Sequence, residues 1–139
     1  MIILDTNVLS ELMRTEPEPA VLRWLDVQPA QSIWITTITL FECRLGLALL
    51  PLGKRRSALE AAFAELLSQD LENRVLPFDV AAAEQAASLA ATRQRAGRSV
   101  DIRDTQIAAI AQARRAKLAT RNVRHFSGLK VTVVNPWGA

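Results

Sequence analysis

Met1-Ile2-Ile3-Leu4-Asp5-Thr6-Asn7 begins the chain with an unbroken apolar run that stops at an aspartate. Four apolar residues without alternation read as a strand buried on both faces, as in a parallel sheet covered by helices. Outward from this strand, residues 7–14 read as a short helix, and Pro19 stands at the first turn of another that carries Val21, Leu22 and Leu25 inward. Residues 32–38, rich in β-branched and aromatic side chains, predict a second strand. From Thr39 the pattern turns helical to Leu50, where Pro51 and Gly53 stop it. Residues 54–71 carry Leu59, Ala62, Phe63, Leu66 and Leu67 as a helix-period stripe. Residues 74–79 form a brief strand that Pro77 confines to the edge of a sheet, and Asp79 caps an alanine-rich helix that runs to about Ala96 and ends at Gly97. Residues 101–116 predict a further helix, and residues 117–120 and 131–134 the last two strands. The alternation of strand and helix places the chain in the α/β class.

The 139 residues, half of them apolar, suit one domain with one sizeable core and leave no room for a second. Cys43 is the one cysteine, so neither an intramolecular disulfide nor a cysteine-built zinc site is expected, and a reducing, cytoplasmic setting follows. Met1 to Leu4 reaches Asp5 too soon for a signal peptide, and no apolar run is long enough to span a membrane. The formal charge of +3 is compatible with a polyanionic partner and equally with ordinary surface lysine and arginine.

Asp5, Glu42, Asp104 and Asn122 each fall where a strand-like run stops or a helix begins. In a parallel sheet such positions gather at the crevice outside the strands' carboxyl ends. Carboxylates collected there repel one another unless a cation lies between them, which points to a hard divalent ion, Mg²⁺ or Mn²⁺, and most often to phosphate-ester chemistry. Each position also has a purely structural reading. Asp5 can cap a helix, and Glu42 stands three residues after Thr39 as in a capping box. Asp101 and Asp104 form an i, i+3 pair of which one can cap while the other points outward, and Asn122 can start a turn. A helix N-terminus favours a carboxylate for either purpose, so both readings stand.

His125 is the only histidine, which rules out a pair of histidines working as acid and base within one chain. A nucleophilic triad would need the same residue, and nothing places it beside Cys43; it reads as an exposed loop side chain. Arginines near the acidic positions suit phosphate: Arg44 close to Glu42, Arg98 and Arg103 around the Asp104 helix, Arg121 and Arg124 around Asn122. The Lys54-Arg55-Arg56 run reads as a solvated helix face. Trp34 reads as core, and Trp24 and Trp137 as packing or interface residues.

Leu4-Asp5-Thr6-Asn7-Val8, Thr39 with Glu42, Asp104-x-x-Ile107-Ala108-Ala109, Ala119-Thr120-Arg121-Asn122-Val123-Arg124-x-Phe126 and the closing Asn135-Pro136-Trp137 together resemble the PIN-domain ribonucleases. More narrowly, the set is similar to the VapC-type toxins of bacterial toxin–antitoxin pairs, FitB-like subgroup. The resemblance implies a three-layer α/β/α domain over residues 1–139, with a five-stranded parallel sheet in order 3-2-1-4-5. It implies a ribonuclease dependent on Mg²⁺ or Mn²⁺ that leaves 5′-phosphate and 3′-hydroxyl ends. Asp5, Glu42 and Asp104 match the family's acidic metal positions; Asn122 stands where many relatives have a fourth acid, and Thr6 and Thr120 match supporting polar positions. The amide of Asn122 still offers an oxygen but less charge, with Asp101 as a supporting acid behind it. Arg44, Arg98, Arg103 and Arg121 are the candidates for RNA binding. The implied partners are RNA, a VapB-type antitoxin that also binds operator DNA, and a second copy of the chain, with no membrane. Because of Asn122, a catalytically silent PIN fold kept for nucleic-acid binding is the alternative. A phospho-accepting receiver domain fits less well, since Lys130 precedes the last strand, and a haloacid-dehalogenase-like phosphatase would need an acid at Asn7.

Overall fold

The computed structural model describes residues 1–138. Strand β1 (Ile2–Leu4) lies at the centre, paired in parallel with β2 (Ile33–Thr36) on one side and β4 (Lys117–Ala119) on the other. β3 (Val75–Leu76) adds beyond β2 and β5 (Val133–Val134) beyond β4, so the order is β3-β2-β1-β4-β5 and every pairing is parallel. The expected sheet order and the edge position of the Pro77 strand are both observed.

Successive side chains of a strand point to opposite faces, and β1 divides its three residues accordingly. Ile2 and Leu4 join a core with Val8 and Leu9 of α1 (Thr6–Leu12), Val21 of α2 (Pro19–Asp26), Cys43 and Leu47 of α3 (Thr37–Ala48) and Phe63 of α4 (Lys54–Glu65). Ile3 and Leu118 face the other way, onto Ala82 of α5 (Val80–Arg95) and Ile107, Ile110 and Ala111 of α6 (Ile102–Arg114). Helices on both faces make the sheet the middle of three layers, and the continuous apolar reading of β1 follows from that double burial.

Several boundaries differ from the sequence expectation. The strand predicted over residues 32–38 is only Ile33–Thr36, and the helix starts at Thr37 rather than Thr39. Thr36 ends the strand because its hydroxyl accepts from the Thr39 backbone N–H at 3.1 Å, an N-cap that carries β-branched Thr37 and Ile38 into the helix. The helix predicted over residues 54–71 stops at Glu65 and widens into a π turn, Leu66–Asp70, followed by Glu72 and Asn73 at positive φ. Asp79 caps α5 through the Ala82 N–H, as expected, and of the pair Asp101 and Asp104 it is Asp101 that caps α6, through the Asp104 N–H. α6 ends on Arg115 in the left-handed region, φ 54° and ψ 38°.

The register places the chemistry. Leu4 is opposite Ala119, the Asp5 N–H donates to the Ala119 carbonyl at 2.9 Å, and the Thr120 N–H donates to the Val134 carbonyl at 2.9 Å. Asp5 and Thr120 therefore sit side by side at the carboxyl edge of the two central strands.

Candidate functional site

Asp5 is the first residue after β1 and the N-cap of α1, with extended backbone and 4% of its surface exposed. Its Oδ1 accepts from the Thr6 N–H at 2.8 Å. Its Oδ2 accepts from the Thr120 hydroxyl at 2.7 Å and from the Asn7 amide at 3.2 Å. Thr120 is fully buried and ties the edge together, because the same hydroxyl accepts from Asn7 Nδ2 at 3.3 Å and from the Asn122 N–H at 3.1 Å. Cap and site coincide at Asp5.

Glu42 projects from α3 toward α1, where its Oε1 accepts from the Thr6 hydroxyl at 2.8 Å and its Oε2 lies 3.6 Å from Arg103. The capping box with Thr39, the structural alternative for Glu42, does not form. Thr36 is the true cap, and the Thr39 hydroxyl instead lies 3.0 Å from that of Thr6. Asp104 stands in the first turn of α6, and its Oδ2 is 3.0 Å from Nδ1 of His125.

A cleft of about 520 Å³ is lined by Asp5, Thr6, Glu42, Asp104, Arg121 and Asn122, with Asn7, Ser10, Glu11, Arg14 and Trp137 completing its walls. Burial raises the Asp5 carboxyl above its ordinary range; hydrogen bonds from Thr120 and Thr6 pull it back down, and the negative charges of Asp104 and Glu42 push it further up. Glu11 at the same wall goes the other way, held low chiefly by the Glu18 backbone N–H, with Arg14 adding to the effect. Cys43, next to Glu42 in sequence, is buried and its thiol is pushed up to about 11, which makes it an inert core residue.

The lone pairs presented to the cleft belong to carboxylate, amide and hydroxyl oxygens, a donor set for a hard divalent ion rather than for zinc or copper. As they lie, no three acidic, histidine or cysteine side chains among the described residues are grouped to hold one ion. Each carboxylate is turned onto a protein donor instead: Asp5 onto Thr120, Glu42 onto Thr6 and Arg103, Asp104 onto His125. The donor chemistry fits, and the long Glu42 and the partly exposed Asp104 are the side chains free to turn.

Of the other predicted site residues, Thr6 and Arg121 line this cleft, and Thr120 lies beneath Asp5. Asp101 does not; it caps α6 and faces a neighbouring cavity with Arg98. Arg103 stands at the rim, paired with Glu42 and stacked 5.3 Å from the Phe41 ring centre. Arg44 is turned away, 4.8 Å over Phe63. Sequence reasoning missed three participants. Asn7 braces Asp5, and its place in the Asp-Thr-Asn motif was the available signal. Trp137 stacks with Arg121 at 5.0 Å. His125 is exposed as expected yet touches Asp104 across 21 residues, a contact no local pattern announces.

The family described as PIN domain matches residues 2–130. The chain is 40% identical over 137 residues to the VapC ribonuclease Y4jK of Sinorhizobium fredii, covering 99% of this chain and 98% of that protein. It is 36% identical to Toxin FitB of Neisseria gonorrhoeae, with 99% of each covered. A solved structure of FitAB bound to a DNA fragment superposes with a TM-score of 0.91 at 35% identity, covering 100% of this chain and 97% of that one.

Proposed function

Because the chain belongs to the PIN-domain family, we propose that it is the ribonuclease toxin of a toxin–antitoxin pair, hydrolysing RNA phosphodiesters at the Asp5–Glu42–Asp104 cleft and silenced by a cognate antitoxin. The observation that carries this reading is the convergence of three carboxylates, Asp5 just after β1, Glu42 on α3 and Asp104 on α6, on one cleft, where burial first and then the charges of Asp104 and Glu42 raise the Asp5 pKa. Relatives named as a VapC ribonuclease and a FitB toxin support it over essentially the whole length.

Asp5, Glu42 and Asp104 would hold Mg²⁺ or Mn²⁺, with Asn122 as a weaker fourth oxygen. Such an ion supplies Lewis acidity toward the phosphate and lowers the pKa of water near it. The chain's own residues do the rest. Thr120 and Asn7 fix the Asp5 carboxylate from below, and Thr6 donates to Glu42 in its resting position. Arg121, stacked on Trp137 at the cleft wall, is placed to meet the RNA backbone. The cleft opens into a larger groove between α1, α3 and α4, of about 880 Å³, with which it shares Thr6, Ser10, Arg14 and Glu42. An antitoxin segment lying in that groove would reach the acids directly. A basic side chain at its end would pair with them and compete with the metal.

The FitAB structure on DNA supports a complex in which the antitoxin also binds operator DNA. No helix among the described residues is long and apolar enough to cross a membrane; action in the cytoplasm, as a homodimer, completes the proposal. The test is cleavage of RNA by the purified, antitoxin-free protein with and without divalent metal. RNA binding without cleavage would favour the silent nucleic-acid-binding reading.

A further inference from the structure

Asp104 is a wall of two cavities. On its far side from Asp5 lies a second one, of about 330 Å³, bounded by Arg93, Arg98, Arg124, His125, Asp101 and Asp104. Its three arginines come from the end of α5, from the turn after it and from the short 3-10 helix Val123–Phe126. None of the ion pairs among the described residues involves any of them. The two acids present are otherwise engaged, Asp101 with the Asp104 N–H and Asp104 with His125.

Two of the guanidinium groups are nevertheless held in place. Arg93 donates through Nη2 to the His125 carbonyl at 2.9 Å, and Arg98 donates through Nη2 to the Ser127 hydroxyl at 3.2 Å. Both acceptors are neutral, so each group is oriented without losing its charge. A guanidinium has five N–H donors, which leaves most of each fork unspent. Three arginines against two carboxylates leave the concave site with an excess of positive charge and no direct ion pair to any of the three, an arrangement that suits a phosphate, and orientation in advance lowers the entropy lost on binding.

We infer that the Arg93–Arg98–Arg124 cavity takes a backbone phosphate of the RNA next to the one being cleaved, so that the strand runs past Asp104 with one phosphate on either side of it. The inference rests on the ribonuclease reading and adds to it a second contact point, separate from Arg121. The arginines steer and register the strand; they touch no reacting atom. Arg103 is excluded from this role by its pairing with Glu42.

The test uses the full chain freed of antitoxin and an RNA oligonucleotide whose cut position has been mapped. Arg98→Ala with Arg124→Ala should raise KM roughly tenfold and leave kcat within about twofold, because uniform binding is lost and not transition-state contact. The slope of log affinity against log salt should shrink by ~0.7 for each single-strand phosphate contact removed. Lys117→Ala with Lys130→Ala, which removes as much charge at the amino ends of β4 and β5, should change neither. An oligonucleotide with one uncharged methylphosphonate linkage beside the cut should cost the wild type the same factor and the arginine variant nothing further, since both changes delete one contact. Wild-type cleavage with KM and salt slope unaltered in the arginine variant would overturn the subsite alone. So would an arginine variant that cleaves normally but has lost antitoxin affinity, which would assign the cavity to the protein partner. No cleavage by the wild type would instead remove the ribonuclease reading on which the subsite depends.

Discussion

Replacing Thr120 by Val keeps the side-chain volume and deletes one hydroxyl at zero exposure. That hydroxyl is the Asp5 donor at 2.7 Å and the acceptor for Asn122 N and Asn7 Nδ2. A hydrogen bond to an ionised carboxylate contributes ~1.5–3 kcal/mol, and leaving a donor unpartnered adds to the loss. Asn7 and Asn122 both reach solvent, so water offsets part of that addition. The net cost should be about 2–3 kcal/mol. At an unfolding entropy of ~2.1 cal/mol/K per residue, a chain of 139 residues loses about 3.4 °C for each kcal/mol, so Tm should fall ~7–10 °C in chelator at neutral pH. Loss of the Thr120 bond also removes an influence that lowers the Asp5 pKa, so Mn²⁺ affinity should weaken about tenfold, the usual scale for a lost supporting hydrogen bond, and require higher pH. Thr120→Ser should restore both. A Tm within about 2 °C of wild type, or a Ser variant as damaged as Val, would refute the view that this hydroxyl organises the site.

Stability against pH follows from Asp5 with a definite sign. Its folded pKa is raised, so its contribution is fully present below the ordinary value of 3.8 and is lost as pH rises through the raised one; wild type minus Asp5→Asn, followed by thermal unfolding in chelator, should decline over that window. A flat difference would mean that Asp5 is not under strain from burial and its neighbours. Asn122→Asp should tighten divalent metal binding by adding charge, read by calorimetric titration, and unchanged affinity would place residue 122 outside the metal shell. Arg115→Gly should stabilise the fold by ~1 kcal/mol, because a left-handed backbone costs a residue with a Cβ about that much; a lower Tm would show that the arginine side chain matters more than its backbone.

The parallel sheet was legible because β1 is buried on both faces and β3 runs straight into Pro77, two features that leave a mark in local sequence. Asp5 was legible for the same reason, since a strand of Ile2, Ile3 and Leu4 can only end there. The capping reading of Glu42 could not be settled in the sequence because Thr36, Thr37 and Thr39 are all plausible caps by type, and the choice was made by where β2 loses its partner strand. His125 and Arg93 acquire their roles from the packing of the 3-10 turn against α5 and α6. Neither contact has a periodic signature, and the same holds for Arg44, whose stacking on Phe63 was decided by α4.

Metal-dependent cleavage is the central claim, and it is tested most directly by incubating the antitoxin-free protein with RNA in Mn²⁺ or Mg²⁺, in chelator, and as Asp5→Asn, Glu42→Gln and Asp104→Asn. Cleavage that yields 5′-phosphate ends with metal, vanishes in chelator and is lost in all three folded variants is the predicted result. Cleavage that persists in chelator, or that survives in any of the three, would contradict it.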